Sequence, residues 1–277
     1  MKIDSHQHFW NYNQTEYGWI GENMDILKRD FLPTHLQDEL KTVGFDGSVA
    51  VQARQNLNET EWLLKLSKQY QFIKGVVGWV NLSSTDIEMQ LKRYGQNPKF
   101  VGVRHVIHDE PDIDFMLGTA FLGGLKMLHP YNLTYDLLIF PEHLPNTLKL
   151  VQAFPDQIFI LDHIAKPFIK KKILSPWKEG IESLANFSNV FCKVSGMVTE
   201  TDWKTWKKED FWPYLDCIFK AFGPDRIMIG SDWPVCKLAG QYQQVMGIVE
   251  DYIQSFTEGE KNKILGENAI KAYSLKM

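Results

Sequence analysis

The first ten residues, MKIDSHQHFW (residues 1–10), join a short apolar run to two histidines placed two residues apart. If this stretch is a β-strand, His6 and His8 point to the same face, because alternate side chains of a strand share a face. Two imidazoles directed at one point suit a metal ion or a polarised substrate oxygen. The same motif also occurs as an ordinary structural pair, so its meaning depends on the rest of the chain.

Seven further apolar, β-branched runs follow the first, and segments with helical signals separate most of them. The eight predicted strands lie at residues 1–6, 47–53, 73–82, 100–106, 133–139, 158–164, 190–196 and 227–233. Eight runs that are apolar on both faces and alternate with helices are typical of a (β/α)8 barrel. Because no linker or repeat interrupts the pattern, we predict an α/β protein with a single TIM-like barrel domain spanning residues 1–277.

Local signals place two helix starts and one long loop. Thr257 and Glu260 match the T-x-x-E capping box ahead of a helical segment, and Asn58 is predicted to cap the helix after the second strand. Residues 14–33 have many aromatic side chains and no clear period, which predicts a long loop after the first strand.

Composition narrows the classes of partner. With 44% hydrophobic residues and a net charge of -4, the chain is typical of a globular protein with a substantial core and has no basic surface for nucleic acid. No apolar run approaches the length of a membrane span, and the N-terminus does not resemble a signal peptide. Three widely spaced cysteines without a C-x-x-C motif argue against a disulfide framework. We therefore predict a cytoplasmic protein that binds neither nucleic acid nor membrane.

Polar residues stand at nearly every strand end, where barrel enzymes place their chemistry. In chain order they are His6, His8, Gln52, Arg54, Trp79, Asn81, Arg104, His105, Asp136, Asp162, His163, Lys166, Lys193, Ser195, Ser231 and Asp232. Structural roles are open for several of them: Asp136 and Lys193 could pair inside the barrel, His105 could be a hydrogen-bonded core residue, and Asp162 could orient a histidine.

Six blocks of sequence carry a family resemblance. They read DSHQHFW, VGVRHV, LDHIAKP, KVSGMVTE, GSDWPV and LGENAIKAY, and in this order they resemble the amidohydrolase superfamily and, within it, the branch of sugar-lactone hydrolases. The resemblance implies a barrel with His6, His8, His163 and Asp232 around one catalytic site. It also implies a hydrolase of carboxylic esters whose partner is a small sugar lactone, an aldonolactone similar to L-fuconolactone.

The chain departs from the metal-rich pattern of the superfamily at two strands. The fourth predicted strand ends in Arg104 and His105 rather than a metal-binding lysine or glutamate, and the fifth supplies no histidine. A binuclear centre is therefore not expected. We predict either one weakly held zinc ion, with His6, His8, His163 and Asp232 as ligands, or no required metal, with His6 and His8 donating hydrogen bonds to the substrate.

Lactone hydrolysis assigns roles to the remaining residues. Asp232 is predicted to be the general base for water, and the three histidines would polarise the carbonyl. Arg104 would hold substrate oxygens or the developing oxyanion. The other predicted substrate contacts are His105, Lys166, Trp10 and Trp233.

The sequence is also compatible with other functions. Without a G-x-S-x-G motif, a covalent acyl-enzyme is not expected. The alternatives are a metal-dependent decarboxylase of the same superfamily and an inactive barrel that binds a sugar acid or a partner protein. A homo-oligomer is compatible with the sequence.

Overall fold

The computed structural model describes residues 1–276 and contains one sheet of eight parallel strands. Each strand pairs with the next strand along the chain, so the sheet order follows the sequence. The strands are β1 Ile3–Gln7, β2 Gly47–Val51, β3 Ile73–Gly78, β4 Phe100–Val106, β5 Thr134–Leu138, β6 Phe159–Leu161, β7 Val190–Val194 and β8 Ile227–Ile229. All eight predicted strands are confirmed, and with them the (β/α)8 fold class.

The sheet closes where the chain beyond β8 meets β1. Gln7 pairs in parallel with Trp233, and the backbone N–H of His8 donates to the oxygen of Trp233 at 2.6 Å. The backbone N–H of Asp232 donates to the oxygen of His6 at 2.8 Å. This seam brings the predicted histidine pair and the predicted aspartate side by side.

Helices connect the strands. They are α1 Pro33–Val43, α2 Leu57–Gln69, α3 Ile87–Tyr94, α4 Thr119–Lys126, α5 Leu144–Ala153, α6 Trp177–Leu184, α7 Trp212–Phe222 and α8 Tyr242–Tyr252, followed by α9 Glu258–Asn262 and α10 Asn268–Ala272. The capping box of Thr257 and Glu260 is confirmed at the start of α9. The predicted cap of α2 is wrong by two residues, because the side chain of Asn56 accepts from the backbone N–H of Asn58.

The predicted long loop is confirmed between β1 and α1, with one short 3-10 turn at Asp25–Leu27. Trp10 and Phe31 exchange two backbone hydrogen bonds of 2.9 Å, which tie the two ends of the loop together. The indole N–H of Trp10 adds a bond to the backbone oxygen of Arg29 at 2.9 Å. The loop is therefore anchored at its base.

A separate apolar cluster packs the C-terminal segment against the strands. It combines side chains from seven strands with four residues of the C-terminal segment, Ala269, Ala272, Tyr273 and Leu275. Within residues 1–276 no helix is long and apolar enough to cross a membrane, and the three cysteines are buried and unpaired.

Candidate active site

A cavity of about 430 Å³ opens at the carboxyl ends of the strands. This is the end of a (β/α)8 barrel at which enzymes of this fold carry out their chemistry. The residues around the cavity are His8, Trp19, Met24, Ala53, Arg104, Val106, His108, Asp109, Leu138, Phe140, His163, Lys166, Thr199, Glu200, Trp203, Asp232, Val235 and Leu238. Apolar walls with a few convergent polar groups are typical of a small-molecule site.

His6, His8 and Asp232 bring three ligand-type atoms together at the seam. The Nε2 atoms of His6 and His8 lie 3.2 Å apart, and His8 Nε2 lies 3.2 Å from Asp232 Oδ1. His6 Nε2 lies 3.9 Å from the same carboxylate oxygen. Ligands of a tetrahedral zinc ion, at about 2.0–2.1 Å from the metal, lie about 3.3 Å from one another. The three atoms therefore have the spacing of ligands around one zinc ion.

The partners of the Nδ1 atoms of His6 and His8 determine which ring nitrogen carries the hydrogen in each neutral imidazole. His8 Nδ1 lies 2.9 Å from the backbone oxygen of Val51, which only accepts, so Nδ1 carries the hydrogen and Nε2 offers a lone pair. His6 Nδ1 has two competing partners, the acceptor Asp162 Oδ1 at 3.3 Å and the donor Lys193 Nζ at 3.2 Å. Pairing with Asp162 leaves the His6 Nε2 lone pair for a metal, as metal ligation requires.

Asp232 supplies the carboxylate of this group and is 5% exposed. Its φ of 58° lies in the left-handed region, which aspartate adopts more readily than most residues. Burial opposes ionisation, but His163, His8 and His6 together bring the pKa of Asp232 below its ordinary value. The side chain is therefore ionised at neutral pH, the form that accepts a proton.

A left-handed turn after β6 delivers two predicted site residues to the pocket. Residues 163–166 all have φ values between 48° and 59°. Because L-residues pay about 1–2 kcal/mol each for this conformation, the surroundings must hold the turn. The indole N–H of Trp177 donates to the backbone oxygen of Ile164 at 2.7 Å. His163 and Lys166 both line the pocket from this turn.

His163 is held close to Asp232 without bonding to it. Its Nδ1 lies 2.9 Å from Ser195 Oγ, and its Nε2 lies 4.0 Å from Asp232 Oδ1. Burial lowers the pKa of His163 to about 4, so the ring is neutral at neutral pH. Gly196, with φ of 61°, packs against the ring so closely that a Cβ atom would overlap Nδ1.

A set of fully buried charges adjoins His6. Lys193 Nζ lies 2.6 Å from Asp136 Oδ2 and 3.0 Å from Asp162 Oδ1. The hydroxyl of Tyr273, from the C-terminal segment, donates to Asp136 Oδ2 at 2.6 Å. The predicted pairing of Asp136 with Lys193 is confirmed. Lys193, His6 and Arg104 overcome burial and lower the pKa of Asp162 well below its ordinary value.

Arg104 borders the pocket, but its guanidinium is engaged with the protein. Nη1 donates to Asp162 Oδ2 at 3.0 Å, and Nη2 donates to the backbone oxygen of Gln52 at 2.5 Å. Nη1 also lies 3.3 Å from His6 Nε2. With 3% of its surface exposed, Arg104 is a buried partner of Asp162 as well as a pocket residue.

His105 does not line this cavity, and its role as a substrate contact stays a prediction. Its Nε2 lies 2.6 Å from Glu110 Oε1, and its ring stacks on Phe115 with centroids 4.9 Å apart. Adjacent residues of a strand point to opposite faces, so Arg104 and His105 do not reach the same cavity.

The two predicted tryptophan contacts also lie outside the pocket. Trp10 is fully buried and anchors the β1–α1 loop. Trp233 is 1% exposed, and its ring packs edge-on against Phe31 with centroids 5.3 Å apart. The aromatic walls come instead from Trp19 in the loop and from other side chains of the strand ends.

Sequence reasoning missed several residues of the cavity wall. They include His108, Asp109, Phe140, Glu200 and Trp203. Glu200 lies inside the block KVSGMVTE, and His108 and Asp109 belong to the short 3-10 turn Ile107–Asp109 that follows β4. Burial lowers the pKa of His108 to about 4, although Asp109, whose Oδ1 lies 2.8 Å from Nδ1, acts in the opposite direction.

The lysine and the arginine that line the cavity both have carboxylate partners. Lys166 Nζ lies 2.5 Å from Glu200 Oε1, and Arg104 is paired with Asp162. Asp232 and Asp109 add further negative groups to the same walls. Among the cavity residues in the described part of the chain, no lysine or arginine is left over to neutralise an anionic ligand.

Comparison with known proteins agrees with this architecture. A profile of the amidohydrolase family matches residues 3–275. An L-fucono-1,5-lactonase from Burkholderia multivorans is 35% identical, with 99% of this chain and 96% of the relative covered. An L-fucono-1,5-lactonase from Burkholderia ambifaria is 33% identical, with 87% and 83% covered.

A solved amidohydrolase from Burkholderia multivorans with bound zinc superposes with a TM-score of 0.97 at 35% identity, and the match covers 100% of both chains. The family profile spans almost the whole chain, and the zinc-bound relative shares its fold. The chain therefore belongs to the amidohydrolase family.

Proposed function

We propose that this protein hydrolyses a neutral sugar-derived lactone, an aldonolactone similar to L-fuconolactone, to the corresponding aldonic acid. Two relatives with at least 33% identity are named as L-fucono-1,5-lactonases. The ionised Asp232 carboxylate at the carboxyl end of the barrel supplies the base that ester hydrolysis needs.

The charge balance of the cavity is the observation that carries the proposal. Its two cationic side chains, Lys166 and Arg104, are already paired with Glu200 and Asp162. A substrate with a carboxylate would find no unpaired cationic side chain in the cavity wall. The side-chain charges therefore favour an uncharged lactone over the carboxylate substrate of a decarboxylase.

The residues divide the work of hydrolysis in the following way. Asp232 accepts the proton of the attacking water and later returns it to the leaving alkoxide. His163 stays neutral beside Asp232 and offers a ring nitrogen to the lactone oxygens. Arg104 places positive charge at the cavity wall, where negative charge develops on the carbonyl oxygen.

The donor set of His6, His8 and Asp232 fits one zinc ion, and His163 lies farther from Asp232 Oδ1 than the other two histidines. A bound zinc would supply Lewis-acid polarisation of the lactone carbonyl. The bond between His8 Nδ1 and the oxygen of Val51 favours this ligand role over the alternative in which His8 Nε2 donates to substrate.

A panel of aldonolactones in a pH-indicator assay tests the proposed activity, because hydrolysis releases an acid. We expect turnover of at least one polyhydroxylated lactone and no release of carbon dioxide from aromatic carboxylates. Decarboxylation without lactone turnover would establish the alternative enzyme. Binding of sugar acids without any turnover would establish an inactive barrel.

Dialysis against a strong chelator tests the role of zinc. Elemental analysis should find one zinc per chain before dialysis, and activity should fall when the metal is removed and return when zinc is added. Full activity in protein shown to be free of metal would refute the ligand role. In that case, loss of activity in His6→Ala and His8→Ala would assign both rings to direct substrate contact.

A further inference from the structure

We propose that Lys166 and Glu200 form one binding subsite for two neighbouring hydroxyl groups of a neutral polyol. This proposal rests on the proposed lactone hydrolysis and specifies how its substrate is recognised. The subsite belongs to the wall of the cavity, and Glu200 is a substrate-binding residue that the sequence motifs alone do not reveal.

The two side chains come from neighbouring strand ends. Lys166 ends the left-handed turn after β6, and Glu200 ends the short 3-10 turn Met197–Glu200 after β7. Nζ and Oε1 lie 2.5 Å apart, with 17% and 19% of the two side chains exposed. The exposed parts face the cavity, because both residues line it.

Local backbone structure holds the pair in place. The backbone N–H of Lys166 donates to the oxygen of His163 at 2.8 Å, which closes the left-handed turn. The hydroxyl of Thr199 donates to the backbone oxygen of Gly196 at 2.7 Å and lies 3.2 Å from Glu200 Oε1. Since four consecutive residues adopt an unfavourable conformation to present Lys166, the position of its ammonium group is a specific feature of the site.

The chemistry of the pair matches a diol. An ammonium group has three hydrogens and a carboxylate has about four lone-pair positions, so the contact between them leaves donors and acceptors free. One hydroxyl can accept from Lys166 while its neighbour donates to Glu200. Since the two charges cancel, the pair attracts no net charge and favours an uncharged polyol over a sugar acid.

Aromatic walls next to the pair suit the apolar face of a sugar ring. Phe140 lies under the ammonium group of Lys166, with its ring centroid 5.9 Å from Nζ. The indole N–H of Trp203 donates to the backbone oxygen of Thr199 at 3.0 Å, which fixes its ring at the cavity wall. The ring C–H groups can pack on these faces while the hydroxyls reach the charged pair.

A nearby ion pair provides a matched control. Lys170 and Asp202 follow the same two strands, but their charged atoms are 3.9 Å apart and their side chains are 66% and 51% exposed. Neither residue lines the cavity. Asp202→Asn therefore removes a carboxylate from the same region without touching the subsite.

The test compares two substrates in each variant. For Glu200→Gln and Lys166→Met we expect kcat/KM to fall about 10- to 100-fold for a polyhydroxylated aldonolactone, the usual effect of losing a charge-assisted hydrogen bond. For δ-valerolactone, which has no hydroxyls, we expect kcat/KM to change less than about threefold, because the hydrogen bonds lost with the charged pair are not made to this substrate. Asp202→Asn should alter neither. Equal losses for both lactones would overturn the subsite.

A binding measurement separates this subsite from the proposed activity. A non-hydrolysable aldonolactam with the same hydroxyls should bind the wild-type protein in calorimetry, and at least about tenfold more weakly to Glu200→Gln. Equal affinity would overturn the subsite even in a protein that hydrolyses lactones. Absence of lactone turnover with the expected loss of lactam affinity would overturn only the hydrolase.

A double substitution serves as a control for misfolding of the single variants. If Glu200→Gln leaves the Lys166 charge without its partner and unfolds the protein, Lys166→Met combined with Glu200→Met removes both charges together. The double variant should keep δ-valerolactone turnover and lose discrimination in favour of the polyhydroxylated lactone. Retained discrimination in this variant would contradict the proposal.

Discussion

At the scale of single residues, Asp232 combines an unusual backbone conformation with a buried, ionised side chain. Its left-handed φ turns the carboxylate toward the histidines of β1, and three imidazoles keep it ionised despite burial. Asparagine has the same shape and also tolerates a left-handed φ, so a substitution can remove the base without disturbing the backbone.

We expect Asp232→Asn to lower kcat at least about 100-fold, because the amide cannot accept a proton from water. The melting temperature should stay close to that of the wild type. Steady-state kinetics on the lactone panel and thermal unfolding measure the two quantities. Turnover near the wild-type level would remove Asp232 from the role of general base.

Arg104 illustrates how the structure changes a sequence-based expectation. The sequence predicts a substrate clamp, for which substitution would reduce activity far more than stability. The structure shows a buried ion pair with Asp162, so stability also depends on this residue.

Arg104→Met should therefore reduce the free energy of unfolding by about 3–5 kcal/mol in addition to lowering turnover, since it leaves Asp162 with one cation fewer. Adding Asp162→Asn should recover part of the stability. Chemical denaturation of both variants measures the effect. A loss of turnover with unchanged stability would restore the interpretation of Arg104 as a substrate clamp alone.

At the scale of the structural elements, the strands were predictable and the turns were not. Parallel strands of a barrel are buried on both faces, so each appears as an apolar run, and β4 matches its predicted bounds at residues 100–106. The left-handed turn at residues 163–166 has no glycine to mark it. Tertiary contacts impose this turn, and local sequence therefore does not reveal it.

Gly196→Ala tests whether the close contact of Gly196 with the imidazole of His163 positions that ring. A methyl group there meets the imidazole ring and also pays for the left-handed φ of 61°, so we expect a loss of about 1–3 kcal/mol of stability and a large loss of turnover. Gly223→Ala is the matched control, because its φ is 67° and a Cβ there meets nothing within 4 Å. Equal effects of both substitutions would contradict the positioning of His163 by Gly196.

Helix α2 and the β1–α1 loop meet at a buried carboxyl group. Glu59 Oε2 accepts from the backbone N–H groups of Ala53 and Arg54 at 3.0 and 2.8 Å. Its Oε1 lies 3.4 Å from the hydroxyl of Tyr17 and 3.6 Å from Arg54 Nε. Burial raises the pKa of Glu59 from 4.5 to about 7, although the two backbone hydrogen bonds and the charges of Arg54 and Arg104 act in the opposite direction.

This pKa predicts a pH dependence of stability. The folded protein retains a proton that the unfolded chain releases, so the contribution of Glu59 is greatest below pH 4.5 and is lost as the pH rises to about 7. The charged and titratable groups around it are Arg54, Tyr17, Glu16 and Arg104.

Glu59→Gln should abolish this part of the pH dependence, which is at most on the order of 3 kcal/mol between the two pKa values. Its amide oxygen can still accept from the two backbone N–H groups. Denaturant unfolding of both proteins at several values between pH 4.5 and 8 measures the difference. Parallel stability curves for the two proteins would contradict the raised pKa of Glu59.

At the scale of the whole molecule, the barrel and the order of its strands follow from the number of apolar runs. The composition of the cavity wall does not, because Trp19, Glu200 and Trp203 reach it from loops whose paths depend on tertiary contacts. The sequence motifs did predict that His6, His8, His163 and Asp232 lie close together, because these four residues stand at strand ends and the strand ends converge in this fold.

We propose that residues 1–277 form one cooperative domain. Loss of activity and change in the fluorescence of the nine tryptophans should then follow the same curve in denaturant, because the histidines of β1 face Asp232 only when the sheet is closed. Activity lost at a clearly lower denaturant concentration would show that the seam opens before the remainder unfolds.

The seam between β1 and the end of β8 also has a consequence for synthesis of the protein on the ribosome. His6 and His8 precede Asp232 by 226 and 224 positions, so most of the sequence must be synthesised before these three residues can come together. A nascent polypeptide therefore exposes His6 and His8 long before Asp232 can lie beside them. The group of His6, His8 and Asp232 can form only when β8 and the residues after it have left the exit tunnel and docked beside β1.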